Sequence, residues 1–319
     1  MTCRICGNSA GNEPYKIKEM MFATGEEFDY FRCSLCGCLQ IKEIPENMER
    51  YYPKNYYSKH GKVGRNIANP FVCCIMKLRD RYAFTGRGIA GRMIHAVKPG
   101  ESFKIFKGIN AGFNDSILDV GSGEGATLNA LSNAGFKNLT GVDPYIAEDA
   151  VLSNGVTLYK KRVEEVKGKW DIVVFNHSFE HLADPESALA AAAELLTQNG
   201  VCIIRIPVCG GFAWEHYKTD WVQIDAPRHF FIHTEQSLQI TAGKAGLEIF
   251  RSDYDSYELQ FWGSEQYKKG ISMHAVNSYF KNPKKSIFTP ADMKEFRKRS
   301  DDLNAGRKGD QAAFFLRKK

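Results

Sequence analysis

The chain has 319 residues, of which 43% are hydrophobic and 25% are charged, and its formal net charge is +6. This length is enough for one large domain with a buried core and one smaller domain. No apolar run approaches the roughly 20 residues of a membrane-spanning helix, and the start lacks the basic and then apolar layout of a signal peptide. We therefore expect a soluble, cytoplasmic protein with no membrane span.

The positive charge is concentrated in segment 281–319, which has twelve Lys or Arg and five Asp or Glu. Such a segment could bind a phosphate-bearing partner. A solvated basic surface is the more common explanation.

Two C-x-x-C pairs stand near the amino terminus, Cys3 with Cys6 and Cys33 with Cys36. Four soft ligands in this arrangement favour tetrahedral zinc, and a site with four protein ligands is structural because no position stays open. The sequence therefore predicts a zinc ribbon at 1–60, in which Cys38 could replace Cys36. The remaining cysteines have apolar neighbours and are predicted to be core thiols: Cys73, Cys74, Cys202 and Cys209.

The zinc ribbon is followed by a change of composition. Segment 46–58 is rich in tyrosine and 60–65 resembles a linker, so we place a domain boundary near residue 60. Segment 61–113 is predicted to be a helical linker or lid.

From residue 114 onward, short apolar runs alternate with helical patterns. Strands are predicted at 117–120, 139–142, 156–159, 171–175, 201–206, 247–254 and 311–316. Helices are predicted at 124–134 and 237–246, with another from Asp184 to a stop at Asn199-Gly200. Apolar strands that alternate with helices indicate a doubly wound α/β domain at 114–319 with a mostly parallel seven-stranded sheet. An insertion at about 256–310 separates the last two strands, and we expect a lid or a subunit contact there.

The turn after the first strand of this domain is the natural ligand site. Gly121 and Gly123 permit close backbone approach, and Asp143 after the next strand can accept hydrogen bonds from ribose hydroxyls. The stretch GSGEGA also satisfies G-x-G-x-x-A, so a dinucleotide is one possible ligand. However, Asp119 and Glu124 would repel a diphosphate, whereas they suit the ammonium and sulfonium of S-adenosylmethionine (SAM).

The sequence LDVGSGEG, followed by GVD, WDIVVFNHSFEHLADPESAL and LLTQNGVCIIRIP, resembles the class I SAM-dependent methyltransferases over about residues 115–250. Several members of this family carry an amino-terminal zinc module, including sugar methyltransferases and enzymes of cell-surface polysaccharide pathways. The resemblance implies a donor site made of Asp119, Gly121, Ser122, Gly123, Asp143, Pro144, Val163, Glu164, Asn176 and His177. It also implies that the last two strands form a hairpin. The chain departs from the family at Arg162, where an acidic residue is common. Glu164 could substitute for it, or backbone and apolar contacts could hold the adenine.

A hydroxyl acceptor must lose its proton, and a histidine is the usual base. His229 is the preferred candidate and His181 the second, although His181 could equally well stabilise the fold through hydrogen bonds. His177 and His233 are further candidates at the same edge of the sheet.

Other side chains near His229 could bind an acceptor. Arg228 could clamp a phosphate or carboxylate. Aromatic residues could stack on a sugar, although such residues more often pack in a core: Trp214, Tyr217 and Trp221.

Together these features predict SAM-dependent methyl transfer to a hydroxyl of a sugar, a nucleotide-linked sugar or a glycan. The alternative is an RNA methyltransferase whose zinc module and basic tail bind nucleic acid, but 176–179 lacks the N-P-P-Y-like motif of many base-amine methylases. A non-enzymatic binding scaffold and an NAD-dependent oxidoreductase are weaker alternatives. The sequence does not predict the oligomeric state.

Overall fold

The computed structural model describes residues 1–52, 69–100 and 103–319, apart from the side chains of Lys104 and Lys107. The predicted boundary near residue 60 and the linker at 60–65 lie outside the described residues.

Short strands and helices alternate along most of the described chain. The strands are β1 Glu13–Lys18, β2 Glu27–Arg32, β3 Leu39–Ile41, β4 Ser116–Val120, β5 Asn138–Val142, β6 Ala150–Val151, β7 Thr157–Tyr159, β8 Trp170–Asn176, β9 Leu196–Pro207, β10 Phe231–Ile232, β11 Leu247–Tyr254 and β12 Gln311–Lys318. The helices are α1 Pro70–Thr85, α2 Ile89–Val97, α3 Lys104–Lys107, α4 Ala126–Ala134, α5 Pro185–Leu195, α6 Phe212–Tyr217, α7 Glu235–Lys244, α8 Leu259–Lys268 and α9 Pro290–Ala305. Among the described residues, none of these helices has the length and apolar composition that a membrane span requires.

The larger sheet has the strand order β11-β12-β9-β8-β4-β5-β7-β6. Strand β4 pairs in parallel with β5 and β8, and β5 pairs in parallel with β7, while β6 is antiparallel to β7. The sheet is therefore mixed, as expected for a Rossmann-like α/β fold. The predicted count of seven strands is too low by one, because β6 has only two residues and gives no recognisable apolar pattern.

A smaller antiparallel sheet has the order β1-β2-β3-β10. Its last strand, β10, comes from much later in the chain and pairs through Phe231 with Gln40 of β3. The amino-terminal strands therefore share a sheet with the segment that follows His229.

The start of α5 agrees with the prediction, whereas its end does not. Asp184 Oδ1 accepts a hydrogen bond from the N–H of Ser187 at 3.0 Å, as a helix cap does. The helix ends at Leu195, and Asn199-Gly200 lies inside β9. Leu196 is fully buried, and this packing in the core outweighs the local turn signal of Asn199-Gly200.

The chain divides into two compact units. One contains Met1–Tyr51, His177–Leu189 and Arg205–Phe315, and the other contains Tyr52–Asn176, Ala190–Ile204 and Leu316–Lys319. The core of the first unit is rich in large aromatic side chains, among them Tyr30, Trp214, Trp221, Phe231 and Phe261. The core of the second is mainly aliphatic, including Ile117, Leu118, Leu128, Leu131 and Val173.

The segment predicted as an insertion, 256–310, contains α8 and α9. Thr289 and Asp292 form a capping box at the start of α9. Phe296 of α9 stacks on Phe261 of α8 with ring centroids 5.3 Å apart. Packing between these apolar side chains holds the two helices together.

Candidate functional site

A glycine-rich turn follows β4 and folds back over the end of β5. The N–H groups of Gly121 and Ser122 donate to the carbonyl oxygen of Val142, at 2.8 Å and 3.2 Å. Gly121 and Gly123 have φ angles of 77° and 53°, in the left-handed region that glycine adopts without strain. The turn therefore exposes its backbone at the carboxyl ends of two parallel strands, where α/β sheets bind ligands.

Asp143 closes this turn from the end of β5. Its Oδ2 accepts a hydrogen bond from the N–H of Gly123 at 3.0 Å, and its Oδ1 accepts one from the N–H of Tyr145 at 2.8 Å. An ionised carboxylate offers about four lone-pair sites, so these two bonds leave capacity for two more donors.

Asp119 is the second carboxylate near the turn. It lies on β4 opposite Gly141 and is only 4% exposed. Burial, and then the neighbouring charge of Asp143, raise the pKa of Asp119 to about 7. A cation at this position would therefore be stabilised by the ionised form of Asp119.

The segment expected to flank adenine forms a 3₁₀ turn, Val163–Glu165. Val163 is buried, whereas Glu164 is exposed. Glu165 folds back instead, and its Oε2 accepts the N–H of Arg162 at 2.7 Å. Pro144, another predicted donor-site residue, is half-buried directly after Asp143.

Asn176 and His177 stand at the end of β8. Phe175 lies opposite Val120 of β4, so the half-buried Asn176 ends its strand beside the end of β4. His177 has a φ of 53°, which turns the chain sharply away from the strand.

Glu180, His181 and His229 form a cluster in which their ligand-capable atoms all lie within 4.8 Å of one another. The Glu180 carboxylate is fully buried, and its Oε1 is 3.9 Å from His229 Nε2. The rings of His181 and His229 meet edge to face at 4.7 Å. The two histidines predicted as catalytic therefore adjoin one buried carboxylate.

Backbone carbonyls fix both imidazole rings through Nδ1. His181 Nδ1 is 2.8 Å from the carbonyl oxygen of Arg228, and His229 Nδ1 is 2.7 Å from that of Gln223. A carbonyl oxygen can only accept, so each Nδ1 carries a hydrogen. In the neutral ring the lone pair is then on Nε2.

The ionisable side chains of this cluster shift one another's pKa. Burial alone would raise the pKa of Glu180, but His177, His181 and His229 lower it to about 2. Burial, and then the charge of His229, lower the pKa of His181 to about 4. At neutral pH, Glu180 is therefore ionised and His181 is neutral.

The other two candidate histidines have different surroundings. His177 Nδ1 is 3.4 Å from Glu180 Oε1, so His177 borders the cluster. His233 is fully buried, its Nδ1 is 3.0 Å from Ser237 Oγ, and its ring stacks on Phe231. These contacts make His233 a core residue.

A family model for a methyltransferase domain matches residues 86–252, which is about half of the chain. The chain belongs to this methyltransferase family. Residues 117–120 and 139–142, which the sequence predicts as strands, lie in β4 and β5. These two strands carry the glycine turn and Asp143.

Known proteins are similar to parts of this methyltransferase. The ubiquinone biosynthesis O-methyltransferase of Haemophilus ducreyi is 29% identical over 126 residues, which cover 35% of this chain and 53% of that protein. The protein of the same name from Erwinia tasmaniensis is 30% identical over 118 residues, covering 34% of this chain and 48% of that one. The chain thus spans about half the length of the curated relatives it matches. Among solved structures, the CcbJ methyltransferase from Streptomyces caelestis aligns with a TM-score of 0.39 and 12% identity, over 67% of this chain and 87% of that one.

The methyltransferase also contains a quartet of cysteine sulfurs. The Sγ atoms of Cys3, Cys6, Cys33 and Cys36 all lie within 4.8 Å of one another. Cys3 and Cys36 are 3.6 Å apart, and Cys6 and Cys33 are 3.5 Å apart. Tetrahedral zinc with bonds of about 2.3 Å places sulfurs about 3.8 Å apart, so the donor set fits this ion.

Two tight turns present these sulfurs. Gly7 donates to the carbonyl oxygen of Cys3, and Gly37 donates to that of Cys33, each at 2.9 Å. Cys38, the predicted substitute for Cys36, is buried with its thiol toward the carbonyl oxygen of Leu39 at 3.7 Å. The quartet is therefore built from Cys36 and not from Cys38.

Arg228 does not project toward solvent as a phosphate clamp would. It is fully buried, and its guanidinium donates to both carboxylate oxygens of Asp225, to Glu19 Oε1 and to the carbonyl oxygen of Tyr51. Burial alone would lower the pKa of Arg228, but the carboxylates of Asp225 and Glu19 raise it above its ordinary value. Its contacts make it a structural link within the first unit.

The aromatic residues near His229 are also structural. Trp221 Nε1 donates to Asp310 at 2.9 Å, and Tyr217 donates to Glu265 at 3.0 Å. Trp214 meets Tyr15 edge to face at 5.2 Å. All three predicted stacking residues are buried, so they do not offer a free ring face to a sugar.

Several other sequence interpretations change once contacts are known. In the basic segment, Arg297 pairs with Glu258 and Arg307 pairs with Glu235, so part of the positive charge is neutralised within the chain.

Among the predicted core thiols, Cys202 and Cys209 are buried, whereas Cys73 is half-buried and Cys74 is exposed because α1 turns that face outward.

Glu180 is the site residue that sequence reasoning missed. A signal was present, because Glu180 follows Phe179, precedes His181 and comes three residues after His177. In the structure Glu180 Oε1 is 3.4 Å from His177 Nδ1, and the carboxylate lies within 4.8 Å of His181 and His229.

Proposed function

We propose that this methyltransferase transfers the methyl group of SAM to a hydroxyl of a small acceptor. Two features of the β4 turn support SAM as the donor. Asp119 and Asp143 supply negative charge that suits a sulfonium and an ammonium, and the same charge disfavours the pyrophosphate of a dinucleotide.

The donor would be held by the turn and by the residue that ends β5. Gly121 and Gly123 leave room for the methionine part, and the two remaining acceptor positions of Asp143 suit the ribose hydroxyls. SAM supplies a methyl group already activated by its positive sulfur. The protein mainly has to align the acceptor, exclude water and remove a proton.

The observation that carries a hydroxyl acceptor is the Nδ1–H tautomer of His229. Its Nε2 lone pair can take the hydroxyl proton, and Glu180 Oε1 at 3.9 Å would stabilise the resulting imidazolium. His181, whose ring adjoins that of His229, is the second proposed catalytic residue. The curated relatives are named O-methyltransferases, which agrees with transfer to oxygen.

The class of acceptor is a further part of this proposal. A sugar, nucleotide-linked sugar or glycan hydroxyl is our sequence-based candidate, but buried Arg228 and the buried aromatics no longer favour it. The name of the relatives, which refers to ubiquinone biosynthesis, favours a phenolic hydroxyl instead. The internal ion pairs of the basic segment weaken the RNA alternative.

The test is a methyl-transfer assay with SAM and three matched acceptor sets: catechol-type phenols, glycosides and RNA. Mass spectrometry should show an added methyl group on a hydroxyl acceptor and equimolar S-adenosylhomocysteine. Transfer to RNA alone would refute the proposed acceptor class. A lack of SAM binding would refute the proposed function itself.

We also propose that the cysteine quartet holds structural zinc. The sulfur separations fit a tetrahedral site, and Cys36 donates a hydrogen bond that lowers the pKa of Cys3 to about 4. A thiolate is the form that binds zinc. Four protein ligands would leave no position for a substrate, so the ion would stabilise the amino-terminal sheet.

A further inference from the structure

We infer that Glu180, His181 and His229 form a binding site for a divalent transition-metal cation, separate from the cysteine quartet. The three residues lie within one compact unit, and one ligand-capable atom of each lies within 4.8 Å of the others. This inference rests on the proposed function, because the cation would activate the acceptor hydroxyl of the proposed methyl transfer.

The buried carboxylate of Glu180 supports a cation at this position. Its side chain is fully buried, and neither carboxylate oxygen has an aligned hydrogen bond from the described residues. Glu180 Oε1 lies 3.4 Å from His177 Nδ1 and 3.9 Å from His229 Nε2, and the lone pair of that Nε2 offers the carboxylate no hydrogen. A buried carboxylate without an aligned hydrogen bond is costly, and a cation would supply a stronger partner than the His177 N–H alone.

The orientation of the two imidazole rings also suits a bound cation. Histidine ligands in metal sites usually donate their other N–H to a carbonyl or a carboxylate. His181 and His229 both do so, through Nδ1 to the carbonyl oxygens of Arg228 and Gln223. Their Nε2 atoms therefore carry the lone pairs that a cation requires.

A chain of polar contacts orients the Glu180 carboxylate. Asp255 Oδ2 accepts from Arg205 Nε at 2.6 Å, and Arg205 Nη1 donates to His177 Nε2 at 3.1 Å. Arginine can only donate, so His177 carries its hydrogen on Nδ1, which faces Glu180 Oε1. His177 is thus a positioning residue that holds the carboxylate beside the two histidines.

The donor set indicates the type of cation. Two imidazoles and one carboxylate favour first-row transition metals such as zinc or iron, whereas magnesium and calcium prefer oxygen ligands. Ligands of a bound ion lie about 3.4 Å apart, so we expect the three residues to move closer together when the cation binds. Three protein ligands leave a position open, as in catalytic zinc sites.

An acceptor hydroxyl could occupy this open position. The cation would lower the pKa of the hydroxyl, whose proton would pass to water. The oxygen would then form a bond to the methyl carbon of SAM as the carbon–sulfur bond breaks and its electron pair goes to sulfur. In the loaded protein His229 Nε2 is a ligand, and it acts as base only in the metal-free protein.

Equilibrium dialysis against low micromolar Zn²⁺ tests the site without relying on activity. The wild type should retain one ion per chain more than Glu180→Gln, which removes the ligand charge with little change in shape. Glu194→Gln, an exposed change on α5, is the matched control and should retain as much as the wild type. Equal zinc content in the wild type and Glu180→Gln would overturn the inference.

A second variant guards against misfolding of Glu180→Gln. His181→Gln should also lose one ion, and the melting temperature of the wild type should rise with Zn²⁺ by more than that of either variant. Methyl transfer that persists while no second ion binds would refute the cation site and leave the proposed function intact. Binding of a second ion by a protein that fails to bind SAM would support the cation site and refute the proposed function.

Discussion

Glu19 and Arg228 form a fully buried ion pair, with Oε1 2.8 Å from Nη2, although 209 residues separate them in the chain. Glu19 follows β1 of the amino-terminal sheet, and Arg228 precedes His229. This pair, with Asp225, joins the cysteine module to the loop that carries the proposed catalytic histidine.

The first prediction concerns this ion pair. Arg228→Ala leaves the buried carboxylates of Glu19 and Asp225 without their partner, so we expect a loss of about 3–5 kcal/mol in the free energy of unfolding, measured in urea. Arg297→Ala, which removes an ion pair between an exposed arginine and the half-buried Glu258, should cost only about 1 kcal/mol. Unchanged stability with a raised KM for the acceptor would indicate that Arg228 binds the acceptor after all.

The second prediction concerns the ribose site. Asp143→Ala should weaken binding of S-adenosylhomocysteine by about 1–3 kcal/mol in calorimetry, because charge-assisted hydrogen bonds are lost. Asp149→Ala is the control, since Asp149 likewise accepts a backbone N–H, from Lys160, but lies outside the turn. Equal affinity of wild type and Asp143→Ala would remove Asp143 from the donor site.

The third prediction concerns pH and donor affinity. Because the pKa of Asp119 is about 7, this carboxylate gains its charge between pH 6 and pH 8. We expect SAM affinity to rise by about tenfold over this interval, and that of S-adenosylhomocysteine to rise less because it lacks the sulfonium charge. Asp119→Asn should flatten the pH dependence, and a wild-type profile that is already flat would contradict the assignment.

Ionisation of Asp119 should also lower the stability of the folded state, whereas it raises the affinity for SAM. Its folded pKa of about 7 is above the ordinary 3.8, so between these values the folded state binds a proton that the unfolded state does not. The stability that this group contributes is fully present below pH 3.8 and is lost as the pH rises through 7. At pH 8, Asp119→Asn should therefore unfold at a higher urea concentration than the wild type; an equal or lower midpoint would argue against a buried, proton-binding Asp119.

The fourth prediction concerns the proposed base. His229→Ala should lower kcat by about 10²–10⁴-fold while the affinity for S-adenosylhomocysteine stays within about twofold. His216→Ala, which changes an exposed histidine of α6, should have no such effect. A parallel loss of donor binding and turnover would show instead that His229 maintains the fold.

The fifth prediction concerns the cysteine quartet. Cys36→Ser should release one zinc ion per chain and lower the melting temperature, whereas Cys38→Ser should keep the ion because its thiol faces Leu39. Metal analysis of the two purified variants makes the comparison. Retention of zinc by Cys36→Ser would place the ion elsewhere.

The sequence predicts those parts of the fold and site that depend on local pattern. Apolar runs and glycine turns place β4, β5 and the residues between them correctly, because the left-handed φ angles at Gly121 and Gly123 have a clear sequence signature. The spacing of Cys3, Cys6, Cys33 and Cys36 likewise predicts four sulfurs that meet in the structure.

Features that depend on distant contacts are not predictable in this way. The burial of Arg228 requires Glu19 from the amino-terminal module, and a single sequence does not reveal that pairing. The pairing of β10 with β3 and the end of α5 at Leu195 have the same origin. Glu180 has a local signal in its spacing to His177 and His181, but its meeting with His229 depends on a distant segment that a single sequence does not reveal.

The most direct measurement of the central claim is a pair of calorimetric titrations of the wild-type protein, one with SAM and one with NAD. We expect SAM to bind at one site per chain and NAD to give no heat of binding, because the carboxylates of Asp119 and Asp143 suit a cation and repel a diphosphate. Binding of NAD without binding of SAM would contradict the assignment of the β4 turn as the site of the methyl donor.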